Sequence, residues 1–327
     1  MSTLRMMAID EICQRGSIRD GDVEMLRQAF SREPHLTAGD VDALFRIHTL
    51  ARVQDPSWAD FFIETMTDYV VRELEPSGYM TAAHAGWLIA RVSTAGRVRS
   101  RVEHDMLLNV IDKARWVPET LLAFAIAQIR DAVTCGEGPL RSDGMLQAGI
   151  ITAGEVEQLR ALLYAYGADG PCGITQIEAE LMLDIDAALP AEASEEDGIA
   201  LDAWSDLVIK SIANAVLDAS GYACPSREEA LSEREPMGAV DQRGVLGCYV
   251  RQDAEARALA RLERQRIEII TGEPVGDADA DRLAARLMPD DGACPRAAPV
   301  PILLQQAGFS LHPTLRPTVL EAAATAA

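Results

Sequence analysis

Aromatic residues are scarce in this chain, at 5% of 327 residues. No run alternates Val, Ile, Thr or aromatic residues between turn signals, so a sheet is not expected. Long apolar runs are also missing. Nowhere do about 18 apolar residues follow one another, and Met1 to Ile9 lacks the basic start and apolar stretch of a signal peptide. Both absences predict a soluble, cytoplasmic protein with no membrane partner. The six cysteines, Cys13, Cys135, Cys172, Cys224, Cys248 and Cys294, are scattered without a CxxC pair. That pattern predicts reduced thiols rather than a disulfide framework or a zinc site. Basic charge is in short supply: 30 Lys and Arg face 51 Asp and Glu, for a net charge of -21. A field of that sign repels phosphate backbones, so no nucleic-acid partner is expected.

Catalytic signatures are equally wanting. GxGxxG, GxxxxGK[ST], GxSxG and HExxH are all absent, which leaves nucleotide, hydrolase and metalloprotease chemistry without an anchor. The five histidines, His35, His48, His84, His104 and His312, are dispersed. Glu103-His104-Asp105 is the densest titratable cluster. Consecutive helical residues point in different directions, so the cluster reads as a solvated helix surface. No catalytic residue and no cofactor is expected.

What the chain does contain is a repeat. Around Trp58 the sequence runs Ser57-Trp58-Ala59-Asp60-Phe61-Phe62-Ile63 to Ser77-Gly78-Tyr79; around Trp204 it runs Ala203-Trp204-Ser205-Asp206-Leu207-Val208-Ile209 to Ser220-Gly221-Tyr222. Upstream, Gly21-Asp22-Val23-Glu24 matches Gly154-Glu155-Val156-Glu157, while Thr37, Leu44 and Ile47 match Thr175, Met182 and Ile185. Downstream, Leu88 to Val92 with Leu107-Leu108 matches Leu283 to Leu287 with Leu303-Leu304. Four blocks in the same order predict an all-α protein of two homologous multi-helix units made by internal duplication. The units are expected at residues 1–131 and 146–327, joined by a Gly-rich linker at 132–145. The second carries a helical insertion from Ala223 to Gly276 that has no counterpart in the first.

Helical spacing is explicit. After Trp58 apolar residues fall at Phe62, Met66 and Val70, and after Trp204 at Val208, Ile212 and Val216, in steps of four. Each Trp therefore opens a core-facing stripe and is expected to be buried. Gly78 and Gly221 stand where a helix stops in the left-handed conformation. Thr152 with Glu155, Thr175 with Glu178 and Ser100 with Glu103 have capping-box spacing, and Thr37 with Asp40 is a shorter version. Asp253 to Ile270, rich in Ala, Leu, Arg and Glu, reads as one long helix within the insertion.

Loops that precede capped helices suggest calcium-binding helix-loop-helix units, but none supplies alternating oxygen ligands, a central Gly and a closing Glu. Pro289-Asp290-Asp291-Gly292 comes closest. The stretches Trp87 to Leu121 and Leu283 to Leu315, each with an apolar helix, a turn, a further helix and a Leu-Leu pair, resemble the TerB-like superfamily of tellurite-resistance proteins and DnaJ-like co-chaperones. The resemblance implies a helical fold and a metal-responsive or protein-docking role in stress responses. It places the family's acidic positions on Glu103 and on Asp290 or Asp291. Thr94-Ala95 replaces the acidic residue expected before Gly96, so neither half keeps the full acidic pair.

In the inserted helix Arg257, Arg261 and Arg264 share one face at steps of four and three, a basic ridge on an acidic protein. It predicts docking of a protein partner or self-association. The leading expectation is a non-enzymatic interaction or regulatory module. The alternative is a calcium or magnesium sensor using Asp290, Asp291 and Glu103.

Overall fold

A computed structural model of the chain describes residues 3–31, 35–141, 147–165, 174–190, 198–223, 249–275, 279–287 and 294–316. Several of its helices start where a side chain can satisfy free backbone amides. Thr37 opens α3 (Ala38–Leu50): its Oγ1 accepts from the Asp40 amide at 3.2 Å, and Asp40 accepts from the Thr37 amide at 2.9 Å. Thr152 with Glu155 and Thr175 with Glu178 make the same reciprocal bonds before α8 (Ala153–Ala165) and α9 (Gln176–Ala188). Each box satisfies two donors that a helix start would leave orphaned. The Asp of α3 closes its box as fully as the longer Glu does.

The N-terminal half comprises α1 (Thr3–Arg15), α2 (Asp20–Ser31), α3, α4 (Pro56–Asp68), α5 (Ala82–Val92), α6 (Arg101–Lys113) and α7 (Glu119–Cys135); α4 continues through a π-helical turn (Tyr69–Glu73). The C-terminal half comprises α8, α9, α10 (Gly198–Ala219), α11 (Ala254–Thr271), α12 (Ala280–Leu287) and α13 (Val300–Gln306). Packing partners recur in sequence order: α2 lies on α4 and α8 on α10, and α4 on α6 and α10 on α13. Trp58 and Trp204 open their stripes fully buried, and Phe62, Met66, Val70, Val208, Ile212 and Val216 line up behind them in the core. Burying one aromatic of this size removes about 150–250 Å² from water, which contributes up to about 4–6 kcal/mol.

The halves are not separate globules. The apolar core is continuous from Ile9 to Leu315. The most extensive helix pairing joins α7, expected to close the first unit, with α9 of the second, and α6 packs on α8. The described part of the expected linker, residues 132–141, is helical at both ends. Residues up to Cys135 extend α7, and Arg141, in a 3-10 turn (Pro139–Arg141), is buried against the Glu155 carboxylate and the Ile150 carbonyl.

Short strands do form, contrary to the expectation of none. Among the described residues three two-residue ladders tie the loops: Ser17–Ile18 with Val53–Gln54 in parallel, and Ser93–Thr94 with Arg97–Val98 and Tyr222–Ala223 with Val250–Arg251 antiparallel. Ala95 and Gly96 turn the second hairpin with φ of 53° and 80°, the pair of positive angles that a two-residue hairpin turn requires. Gly78 and Gly221, with φ of 84° and 83°, take the left-handed conformation as expected. Only Gly221 directly ends its helix; in the N-terminal half the π turn and Leu74 to Ser77 intervene.

Candidate functional site

The described part of the segment expected as an insertion, residues 249–275, forms an arm. The ladder of Tyr222–Ala223 with Val250–Arg251 leads into α11, whose N-cap Asp253 accepts from the Ala256 amide at 2.8 Å and whose C-cap Gly272 has φ of 75°. Tyr249 anchors the ladder by donating its hydroxyl proton to Asn214 of α10. Arg266 reaches Tyr79 Oη of the N-terminal half at 3.1 Å, and Glu273 accepts from the Ala82 amide. The arm therefore bridges back over the first half. Its inner face carries Ala260, Arg264, Ile267 and Thr271, partly or wholly covered.

The outer face is different. Leu259, Leu262 and Ile269 are 61%, 60% and 82% exposed, and they fall on one stripe at steps of three and seven. Arg257, Arg261 and Arg264, the ridge expected from the sequence, do come together. They line a cavity of about 270 Å³ between α11 and the end of α10, where Asp218 is the carboxylate on the wall. The Arg257 guanidinium donates to the Asp253 carbonyl at 3.2 Å. Arginines beside the C-terminal end of α10 are favoured by its carbonyl dipole, which contributes to holding the arm.

A second polar constellation is buried in the N-terminal half, and it corrects the expectation of a solvated helix surface. Glu103 is 1% exposed and His104 is fully buried, because α6 is flanked by α4, α7 and α8. Glu103 Oε1 accepts from Arg99 at 2.7 Å, and Ser100 donates its hydroxyl to Oε2 at 3.2 Å. Burial nonetheless raises the Glu103 pKa, outweighing Arg99 and the bonds from Ser100. Ser100 Oγ lies 3.1 Å from His48 Nε2, and the Trp58 indole lies 3.2 Å from His48 Nδ1.

Ser, His and Glu in a row suggest a nucleophile, but the protons run the other way. An indole N–H only donates, so His48 Nδ1 must accept and the ring proton sits on Nε2. His48 therefore donates to Ser100, which donates to Glu103. A general base would have to accept the serine proton instead. Burial, aided by Arg99, lowers the His48 pKa to about 4, which keeps the ring neutral. The chain of bonds is a buried structural relay.

The C-terminal half has a related arrangement. Asp186 follows Ile185 as His48 follows Ile47, and its Oδ1 accepts from the Trp204 indole at 3.3 Å. Arg296 stands seven residues before Leu303, as Ser100 does before Leu107. It donates to Asp186 from its amide at 3.1 Å and its guanidinium at 3.2 Å. Both halves thus join a buried Trp to a polar residue on the preceding capped helix and to a third group from the chain leading into the later helix. The tryptophans announced themselves in the sequence. Their partners did not, because residue type differs between the halves.

Of the expected cation ligands, Glu103 has both oxygens engaged by Arg99 and Ser100, so a metal there would have to displace a guanidinium. Asp290 and Asp291 lie outside the described residues. Among the described residues no three His, Cys, Asp or Glu side chains gather to hold a metal ion. The hairpin at Gly96 is held by Gln128 of α7, which accepts from the Val98 amide at 2.9 Å and donates to the Gly96 carbonyl at 3.3 Å. No helix among the described residues is long and apolar enough to cross a membrane. No protein-family model, curated protein or solved structure matches this chain.

Proposed function

We propose that this chain is a non-enzymatic helical docking protein, built by duplication of one unit, in which α11 presents a surface to a protein partner. The observation that carries the reading is the stripe of Leu259, Leu262 and Ile269, left open on a helix whose inner face is already committed to the body. Exposed large apolar side chains that share one face of an otherwise polar helix suit an interaction surface. Arg261 and Arg266 flank the stripe, so the fitting partner is an apolar groove or helix with an acidic rim. The shared ancestry is supported by the recurring packing order and by the two Trp-centred relays. The TerB-like resemblance suggests a stress-related setting for such docking.

The test is a photo-crosslinking residue placed at Leu262, with one at the exposed Asp60 of α4 as control. The captured protein is then purified and titrated against the wild type and Ile269→Glu. The reading expects a defined adduct from position 262 alone and binding that Ile269→Glu weakens at least about tenfold. Binding that is indifferent to Ile269→Glu, with helix content intact, rejects it.

A further inference from the structure

The halves differ in how one helix pair closes. In the C-terminal half α12 packs directly on α9, and Arg282 with Glu180 (3.3 Å) and Arg286 with Asp184 clasp the two. The helices at the corresponding places in the N-terminal half, α3 and α5, meet chiefly through Arg91 with Asp42 and the edge-on rings of Phe45 and Trp87, whose centroids are 6.5 Å apart. Between them lies an open groove of about 400 Å³. That volume falls within the range that small-molecule sites occupy, about 300–1,000 Å³.

The groove combines two chemistries. Phe45, Leu50 and Ala90 give it an apolar wall, while Arg46, Arg91 and Arg99 bring three guanidiniums, paired with Asp10, Asp42 and Glu103 in turn. On a chain with a net charge of -21 these pairs leave the groove balanced in charge rather than acidic. Arg91 is already oriented, its guanidinium over the rings of Phe45 and Trp87 at 5.7 Å from each centroid. A stacked guanidinium has little freedom left to lose when it takes up a planar anion. Arg46 is held by Asp10 at 2.9 Å, both side chains about half exposed at 54% and 47%. An exposed pair of this kind contributes about 0–1 kcal/mol, so an incoming anion exchanges with it at small cost.

We propose that the α3–α5 groove binds a small organic carboxylate with an apolar body. Its carboxylate takes the forked donors of Arg46 and Arg91, and its body lies along Leu50, Ala90 and the Phe45 ring. A carboxylate matches guanidinium geometry in a bidentate way. Asp42 on the same wall penalises a doubly charged phosphate more than a monoanion, and a purely inorganic ion leaves the apolar wall uncovered.

Calorimetric titration of the full chain with octanoate and phenylacetate tests the proposal, with octanamide as the neutral isostere, acetate as the charge without a body, and inorganic phosphate. Arg46→Glu reverses the charge at an exposed position, and Arg261→Glu on the arm serves as the control. The proposal expects octanoate or phenylacetate to bind at least about tenfold more tightly than octanamide, acetate or phosphate. It also expects Arg46→Glu to lose at least about tenfold, with an unchanged circular dichroism spectrum, while Arg261→Glu binds as the wild type does. Absence of binding by both acids, equal binding of the amide, preference for phosphate, or indifference to Arg46→Glu overturns it. So does binding of an acidic peptide alone, which would make the groove a peptide site.

Discussion

Replacing Asp186 by alanine probes the buried relay of the C-terminal half. Asp186 is fully buried and receives three donors: the Trp204 indole, the Arg296 amide and the Arg296 guanidinium. The Arg296 side chain is only 9% exposed, and it also donates to Ser205 Oγ at 2.9 Å and the Pro190 carbonyl at 2.6 Å. Removing one member of a buried ion pair costs about 3–5 kcal/mol, because the other charge stays behind uncompensated. The two remaining acceptors of Arg296 place the expectation at the low end, about 3 kcal/mol. At about 2 °C per kcal/mol for a large domain, the melting temperature falls by about 6 °C. The double replacement Asp186→His with Arg296→Ser installs the pair found at His48 and Ser100. A histidine there accepts from Trp204 and donates to the serine, and no buried guanidinium is left. The double variant should recover at least about 1.5 kcal/mol of the loss, a coupling of the size seen between residues in one network. Thermal melts followed by circular dichroism measure both. A fall below about 2 °C for Asp186→Ala, or a double variant no more stable than the single, refutes the correspondence between the relays.

The remaining predictions concern protons and caps. Burial raises the Glu178 pKa from 4.5 to about 7. Its contribution to stability is therefore fully present below pH 4.5 and is lost as pH rises through 7, so Glu178→Gln, which keeps an acceptor for the Thr175 amide, should raise the urea midpoint at pH 8 and leave it unchanged at pH 4. Burial lowers the His104 pKa from 6.5 to about 4, against a weaker opposing effect of the Ala125 carbonyl, and neither ring nitrogen has hydrogen-bonding geometry to a partner. Stability from a neutral His104 is present above pH 6.5 and lost as pH falls through 4. His104→Leu should then remove part of the acid-side loss without destabilising the protein at pH 7, as urea melts across that window would show. Trp58→Phe leaves His48 Nδ1 without its donor and should cost about 1–3 kcal/mol by chemical unfolding; a cost under about 0.5 kcal/mol contradicts the relay. With Glu103 held by Arg99, millimolar calcium or magnesium should leave the melting temperature unchanged; a chelator-reversible rise would revive the cation-sensor alternative.

Much of the scaffold was legible because it obeys local rules. Thr37, Thr152 and Thr175 announce helix starts through short-range bonds, and Trp58 and Trp204 announce the core through the steps of four behind them. The arm helix expected from Asp253 to Ile270 appears as Ala254–Thr271 because its ends carry their own caps, Asp253 and Gly272. What could not be read was anything set by distant neighbours. Glu103 and His104 looked like surface residues, since no local pattern reveals that three helices flank α6. Ser100 and His48 meet across 52 positions of sequence, and Asp186 and Arg296 across 110. The groove of Arg46, Arg91 and Arg99 also gave no signal, because its residues belong to two helices and the loop before α6, whose spacing is fixed only by packing. The arginines of α11 were the exception, being neighbours on one helix face.

Crosslinking from position 262 followed by reconstitution tests the docking surface of α11 most directly. One defined adduct is expected, absent from the Asp60 control, whose purified partner binds the wild type and loses at least about tenfold in affinity to Ile269→Glu. Equal capture from Leu262 and Asp60, or a reconstituted complex that Ile269→Glu leaves untouched, would contradict it.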